Sequence, residues 1–118
     1  MKFTTINKTV PVELDNNGTT EEYVLHEMTA AARDKYMDTL ASRMRMGPDG
    51  KPTGVTKFEG MQADLIVASL RTKDGAAVRK DTVQSWPSST VSGLFEEAQK
   101  LNLLNRDVQE VLEETKNA

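Results

Sequence analysis

Val10-Pro11-Val12-Glu13-Leu14-Asp15-Asn16-Asn17-Gly18-Thr19-Thr20-Glu21-Glu22-Tyr23-Val24-Leu25-His26 is the stretch that decides the fold class. Val10, Val12 and Leu14 occupy the even positions, in step with Ile6, which is the two-residue period of a half-buried strand. Pro11 cannot donate to a ladder, so this strand belongs at a sheet edge or ends there. Asp15-Asn16-Asn17-Gly18 is a turn signal, because Asn and Gly tolerate positive φ. Thr20 to His26 then reads as the return strand, with Tyr23 and Leu25 on one face and Val24 and His26 on the other. A lone hairpin is marginal in water, so residues 1–28 must pack on the rest of the chain.

The rest of the chain reads as helical. Thr29 is suited to cap a helix opening with Ala30-Ala31-Ala32. At 100° per residue, Tyr36, Met37, Leu40, Ala41 and Met44 gather on one arc of residues 30–46, and Asp34, Lys35, Asp38, Ser42 and Arg45 lie opposite. Arg33 falls inside the apolar arc, either as a snorkelling stem or as one half of an ion pair that fixes the hairpin to the helix. Residues 47–54, Gly47-Pro48-Asp49-Gly50-Lys51-Pro52-Thr53-Gly54, are rich in breakers and are expected to form an exposed, mobile loop, as connector, hinge or partner contact.

Phe58 to Thr72 reads as a second helix with apolar stripes on two sides, hence the central one. Leu65 to Leu70 also fits a buried strand, but length and the alanines favour helix. Asp74-Gly75 is a turn, Ala76 to Lys80 reads as briefly extended, and Asp81 is placed to cap a short turn to Trp86. Pro87-Ser88-Ser89 opens a third helix on the stripe Val91, Leu94, Phe95, Ala98 and Leu101. Asn102 breaks that pattern. Asn105 is placed to cap a last helix with Leu104, Val108, Val111 and Leu112 on one side. The expected architecture is one α+β domain over residues 1–118, mainly α: an N-terminal hairpin (1–28) and about four helices (29–118).

Composition removes much chemistry. The 118 residues contain no cysteine and one histidine, His26. Disulfides, thiolate metal sites and cysteine nucleophiles are therefore absent, and a zinc site is short of nitrogen and sulfur ligands. Glu21-Glu22, Glu96-Glu97 and Glu113-Glu114 read as neighbours on solvated faces, not as a tuned acid–base pair. The glycines at 47, 50 and 54 lack the strand-to-helix setting and the G-K-[ST] ending of a phosphate loop. No catalytic, metal-binding or cofactor-binding residue is expected. No run of apolar residues approaches a membrane span, and the N-terminus lacks a secretory core, so a cytoplasmic protein is expected.

The net charge of −3 is unevenly spread, with ten Lys/Arg against six Asp/Glu in residues 33–80 and acidic segments on either side. The acidic total argues against general nucleic-acid binding. Apolar surface remains. Six methionines are present, and Met28, Met37, Met44 and Met46 surround the first helix. Methionine is both core filler and a common choice at adaptable binding surfaces. The candidate partner-binding residues are Met37, Met44, Met46, Val108, Val111 and Leu112, the last three on a segment that either docks on the core or is offered to a partner groove.

The order of pieces resembles the tail assembly chaperones of long-tailed, siphovirus-type bacteriophages over residues 3–105. The resemblance lies in the short N-terminal hairpin, Ala31-Ala32-Arg33-Asp34-Lys35-Tyr36-Met37, the Gly/Pro loop before Leu65-Ile66-Val67-Ala68-Ser69-Leu70, Asp81 to Pro87, and Ala98-Gln99-Lys100-Leu101-Asn102. It implies a non-catalytic helper in the host cytoplasm, absent from the finished virion. Such a helper binds the tape-measure protein, keeps its hydrophobic helices soluble and recruits major tail (tube) protein subunits; self-association fits the same role. Many members also exist in a longer, frameshifted form. No binding residue is carried over from the family. Two rivals stand beside it: a small virion component such as a head–tail connector or tail-completion subunit, and a nucleic-acid-binding regulator using Arg33, Arg43, Arg45, Lys51 and Lys57.

Overall fold

The computed structural model describes residues 1–104. Its first unit is the expected hairpin, β1 (Thr9–Asn16) and β2 (Thr19–His26), paired antiparallel with Val12 opposite Tyr23 and Val10 opposite Leu25. The turn is tighter than expected. Only Asn17 (φ 52°) and Gly18 (φ 84°) connect the strands, both left-handed as a type I′ turn requires. Asp15 braces it by accepting a 3.0 Å hydrogen bond from the Gly18 N–H. The strand also starts later than its alternation suggested, leaving Ile6 78% exposed. Pro11 lies on an outer strand of a three-stranded sheet in which β2 is central, as its missing donor demands.

Helix α1 (Ala30–Ser42) begins where Thr29 predicted, with the Thr29 hydroxyl accepting from the Ala32 N–H at 3.2 Å. It stops before Met44 and Met46. Those residues form β3 (Met44–Met46), which pairs with β4 (Pro52–Val55) in a second hairpin. The expected loop 47–54 is thus a turn plus most of a strand. Its breakers sit at the tip, where the Gly47 N–H bonds to the Lys51 carbonyl and the Gly50 N–H to the Gly47 carbonyl. Pro52 is tolerated because it opens its strand.

The central helix is shorter than the expected 58–72. Gly60, at φ 77°, forces the chain into α2 (Met61–Ser69) only after Phe58 has passed. At the other end the chain leaves the helix as β5 (Leu70–Thr72), and Leu70 pairs with Leu25 of β2. Of the ambiguous run Leu65–Leu70, only its last residue is strand. The extended segment after Gly75 makes a single bridge, Ala77 to Arg71. Then come α3 (Lys80–Gln84), with Asp81 in its first turn, and α4 (Ser88–Leu101), entered through Pro87.

Helix α2 is the hub, packing on α1, α3, α4 and β5. Leu65 and Ile66 are fully buried, each contributing about 1.5–3 kcal/mol relative to exposure. Leu25, Leu70, Val83, Leu94, Ala98 and Leu104 belong to the same core. The fold is α+β, with 39% helix and 26% strand among the described residues, more strand than a mainly-α chain was expected to hold. The excess comes from β3, β4 and β5. The expected last helix, after Asn105, lies outside the described residues.

Two buried polar assemblies hold these elements together. Asn102, 5% exposed, accepts from the Met28 N–H at 2.7 Å and donates to the Ser69 hydroxyl at 3.1 Å and the Ala98 carbonyl at 2.8 Å. Its own carbonyl accepts from Arg33 Nη1 at 2.6 Å. Arg33 therefore ties the start of α1 to the end of α4, a role neither reading of its sequence position foresaw. After Asn102 the helix closes in a Schellman turn, with the Leu104 N–H on the Gln99 carbonyl and Leu103 left-handed at φ 57°.

Candidate functional site

The second polar assembly gathers most of the buried charge. Arg43, 8% exposed, donates through Nε and Nη2 to Asp64 Oδ2 at 3.1 and 2.6 Å and through Nη1 to the Glu59 carbonyl at 2.8 Å. Lys80 takes the other oxygen, Asp64 Oδ1, at 2.9 Å. Burial, and then the Asp64 charge, push the neighbouring Tyr36 hydroxyl up to about 12. Both carboxylate oxygens of Asp64 are occupied by cations, and the cluster joins the end of α1 to α2 and α3. His26 lies half-buried on β2, and among the described residues no three His, Asp or Glu side chains come together as a metal-holding group.

The open surface lies on the other side of the α2 start. Phe58, Met61, Ala63, Trp86 and Val91 line a groove of about 460 Å³. Local geometry builds it. The Met61 N–H bonds to the Phe58 carbonyl at 3.0 Å, and the left-handed Gly60 turns the chain so that Phe58 stands outside the helix, 68% exposed. A Cβ at Gly60 would come within 2.8 Å of Lys80 Nζ, the movable end of a flexible side chain, so it is chiefly the left-handed φ that calls for glycine here. On the far wall Trp86, between α3 and α4, meets Tyr23 edge-on at 5.7 Å and 71°. Gln62, Gln84 and Ser88 form the polar part of the lining, and all are uncharged. The groove therefore offers apolar contact and neutral hydrogen-bonding groups.

The methionines expected to bind a partner do not line this groove. Met37 is half-buried against the core, Met44 is half-buried on β3, and Met46, opposite Pro52, is 56% exposed. Only Met46 is openly available. Val108, Val111 and Leu112 lie outside the described residues. Sequence periodicity missed Phe58 because it counted Phe58 into the core stripe of a helix that starts three residues later. Gly60 was the signal, since glycine next to a helix start marks its boundary. Trp86-Pro87, an aromatic and a breaker at the junction of two helices, was the other.

No known protein family, curated protein or solved structure matches the chain. No helix among the described residues is long and apolar enough to cross a membrane.

Proposed function

We propose that this chain is a non-catalytic tail assembly chaperone of a long-tailed bacteriophage. In this reading it acts in the host cytoplasm, holds the tape-measure protein soluble, helps recruit tail-tube subunits and leaves before the virion is complete. The observation that carries the reading is the groove beneath Phe58, an exposed aromatic over an apolar floor with no charged lining residue. Such a surface takes the apolar side chains of helices without demanding a particular charge pattern. Weak contacts of this kind, repeated along a long client, gain avidity that no single site supplies. The resemblance over residues 3–105 points to the same client.

Against a nucleic-acid role, two of the five basic residues considered for it are already committed. Arg43 is buried on Asp64, and Arg33 donates to the Asn102 carbonyl, which leaves Arg45, Lys51 and Lys57 exposed. The test is co-expression with the tape-measure protein of the same phage, followed by co-purification. The wild type should keep the client soluble and elute with it, and Phe58→Asp should release the client while the chain stays folded. Failure of the wild type to hold the client, or recovery of the chain from finished particles, would overturn the proposal; the second result favours a virion component.

A further inference from the structure

The cleft between α1 and α2 is a second open surface, and its two walls have matching geometry. One wall is Ala32, Lys35, Tyr36 and Thr39 of α1. The other is Asp64, Val67 and Ala68 of α2, continued by Arg71. On α1 the set runs i, i+3, i+4, i+7 and presents one continuous stripe; on α2 Asp64, Val67 and Ala68 run i, i+3, i+4, and Arg71 follows from β5. The walls are antiparallel. Asn102 touches Arg33 at the start of α1 and Ser69 at the end of α2, whereas Arg43, just past the end of α1, reaches back to Asp64. Seven residues of rise make the α1 stripe about 10 Å long, two turns of a helix. The cleft holds about 290 Å³.

Helix α1 as a whole is thinly covered. Of its thirteen residues only Tyr36 is buried. Ala32, Val67 and Ala68 are half-buried and small enough for close backbone approach. The charge in the cleft has one sign left over. Asp64 is neutralised by Arg43 and Lys80. The Lys35 amine is exposed and makes no ion pair among the described residues. Arg71 uses Nη1 on the Val67 and Leu70 carbonyls and makes no ion pair among the described residues either. Asp34 and Asp38 belong to α1 but line neither wall.

We propose that this cleft binds an acidic amphipathic helix of a partner protein, a contact separate from the Phe58 groove. The bound helix lays a small apolar face along Ala32, Val67 and Ala68. Its carboxylates, one turn apart, pair with Lys35 and Arg71 as charge-assisted hydrogen bonds. The neutral Phe58 groove and the cationic cleft then sort two kinds of helix by charge.

The test uses the full-length chain and two labelled peptides of about 18 residues, long enough to form helix. One carries Glu on its polar face and Ala and Leu on its apolar face; in the other every Glu is Lys. Fluorescence anisotropy should show the Glu peptide binding at least about ten-fold tighter, a gap that narrows as salt is raised. Lys35→Glu should abolish that preference without changing the thermal midpoint, because Lys35 is exposed. Equal binding of both peptides, binding of neither, or an unaltered preference in Lys35→Glu would overturn the proposal. So would a rise in Glu-peptide affinity on Leu112→Asp, which would assign the cleft to residues 105–118 of the same chain. A dimer in sedimentation that Lys35→Glu dissociates would assign it to a second copy and overturn it equally.

Discussion

Removing the Asn102 side chain should take away much of the molecule's stability at a single point. In Asn102→Ala the Met28 N–H loses its acceptor and the Ser69 hydroxyl loses its donor, and both groups are in buried positions, Ser69 fully so. The Ala98 carbonyl is spared, because it still accepts from the backbone N–H of residue 102 at 3.1 Å. Two orphaned polar groups at about 1–3 kcal/mol each give a loss of about 3 kcal/mol. Against a typical stability of about 5–15 kcal/mol this is a large fraction. In urea the midpoint should fall by about 1–2 M with unchanged slope. The assay is fluorescence of Trp86, the chain's one tryptophan, which packs edge-on against Tyr23 and should report loss of the core. A cycle sharpens the test. Ser69→Ala removes one of the two groups that Asn102→Ala orphans, so the double variant should be less damaged than the sum of the singles by about 1 kcal/mol. Strict additivity, or a loss below about 1 kcal/mol in Asn102→Ala, would refute the reasoning.

Other expectations rest on particular contacts. Asp64→Asn leaves Arg43 buried without its counter-charge and should cost about 3–5 kcal/mol, whereas Lys80→Ala, on a half-exposed partner, should cost less than about 1 kcal/mol; chemical denaturation measures both. Leu103→Gly should stabilise by about 0.5–1 kcal/mol, because a leucine held at φ 57° and left 66% exposed gains little to offset its left-handed backbone, and a thermal melt reads the gain. Gly60→Ala should destabilise by more than about 1 kcal/mol, and adding Lys80→Ala should recover only the part due to the clash. Tyr36 has its folded pKa raised from 10.0 to about 12. Its contribution is therefore complete below pH 10 and disappears as pH climbs towards 12. Stability should fall by up to about 3 kcal/mol across that window, and a Tyr36→Phe variant should show a shallower alkaline fall.

The parts of this fold legible in the sequence are those governed by near neighbours. Alternation around Asn17-Gly18 gave the hairpin, Pro11 its edge position, Thr29 a helix start, and the stripe from Val91 to Leu101 the last described helix. The missed features depended on distant partners. Met44 to Met46 looks helical until Pro52 to Val55 arrives to pair with it, and Leu70 to Thr72 leaves the helix because β2 offers a ladder. Arg43 read as one of several surface cations, since nothing local shows that Asp64, twenty-one residues on, will bury it. Asn102 read as an interruption because its partners Met28 and Ser69 are far away in sequence. The groove was hidden for a related reason: one glycine shifted a helix start and turned Phe58 from core to surface.

The outermost strand carries a consequence for how the protein behaves when it is abundant. Strand margins are where one sheet recruits another and fibrils grow. On one margin of the three-stranded sheet the lateral position of Pro11 withholds an amide hydrogen from any incoming strand, and Glu13 and Asp15 add like charges beside it. The opposite margin is only three residues long and is partly taken by Ala77. Neither margin of this sheet is therefore a good template for a further strand, and crowding the molecule is expected to leave this sheet unextended.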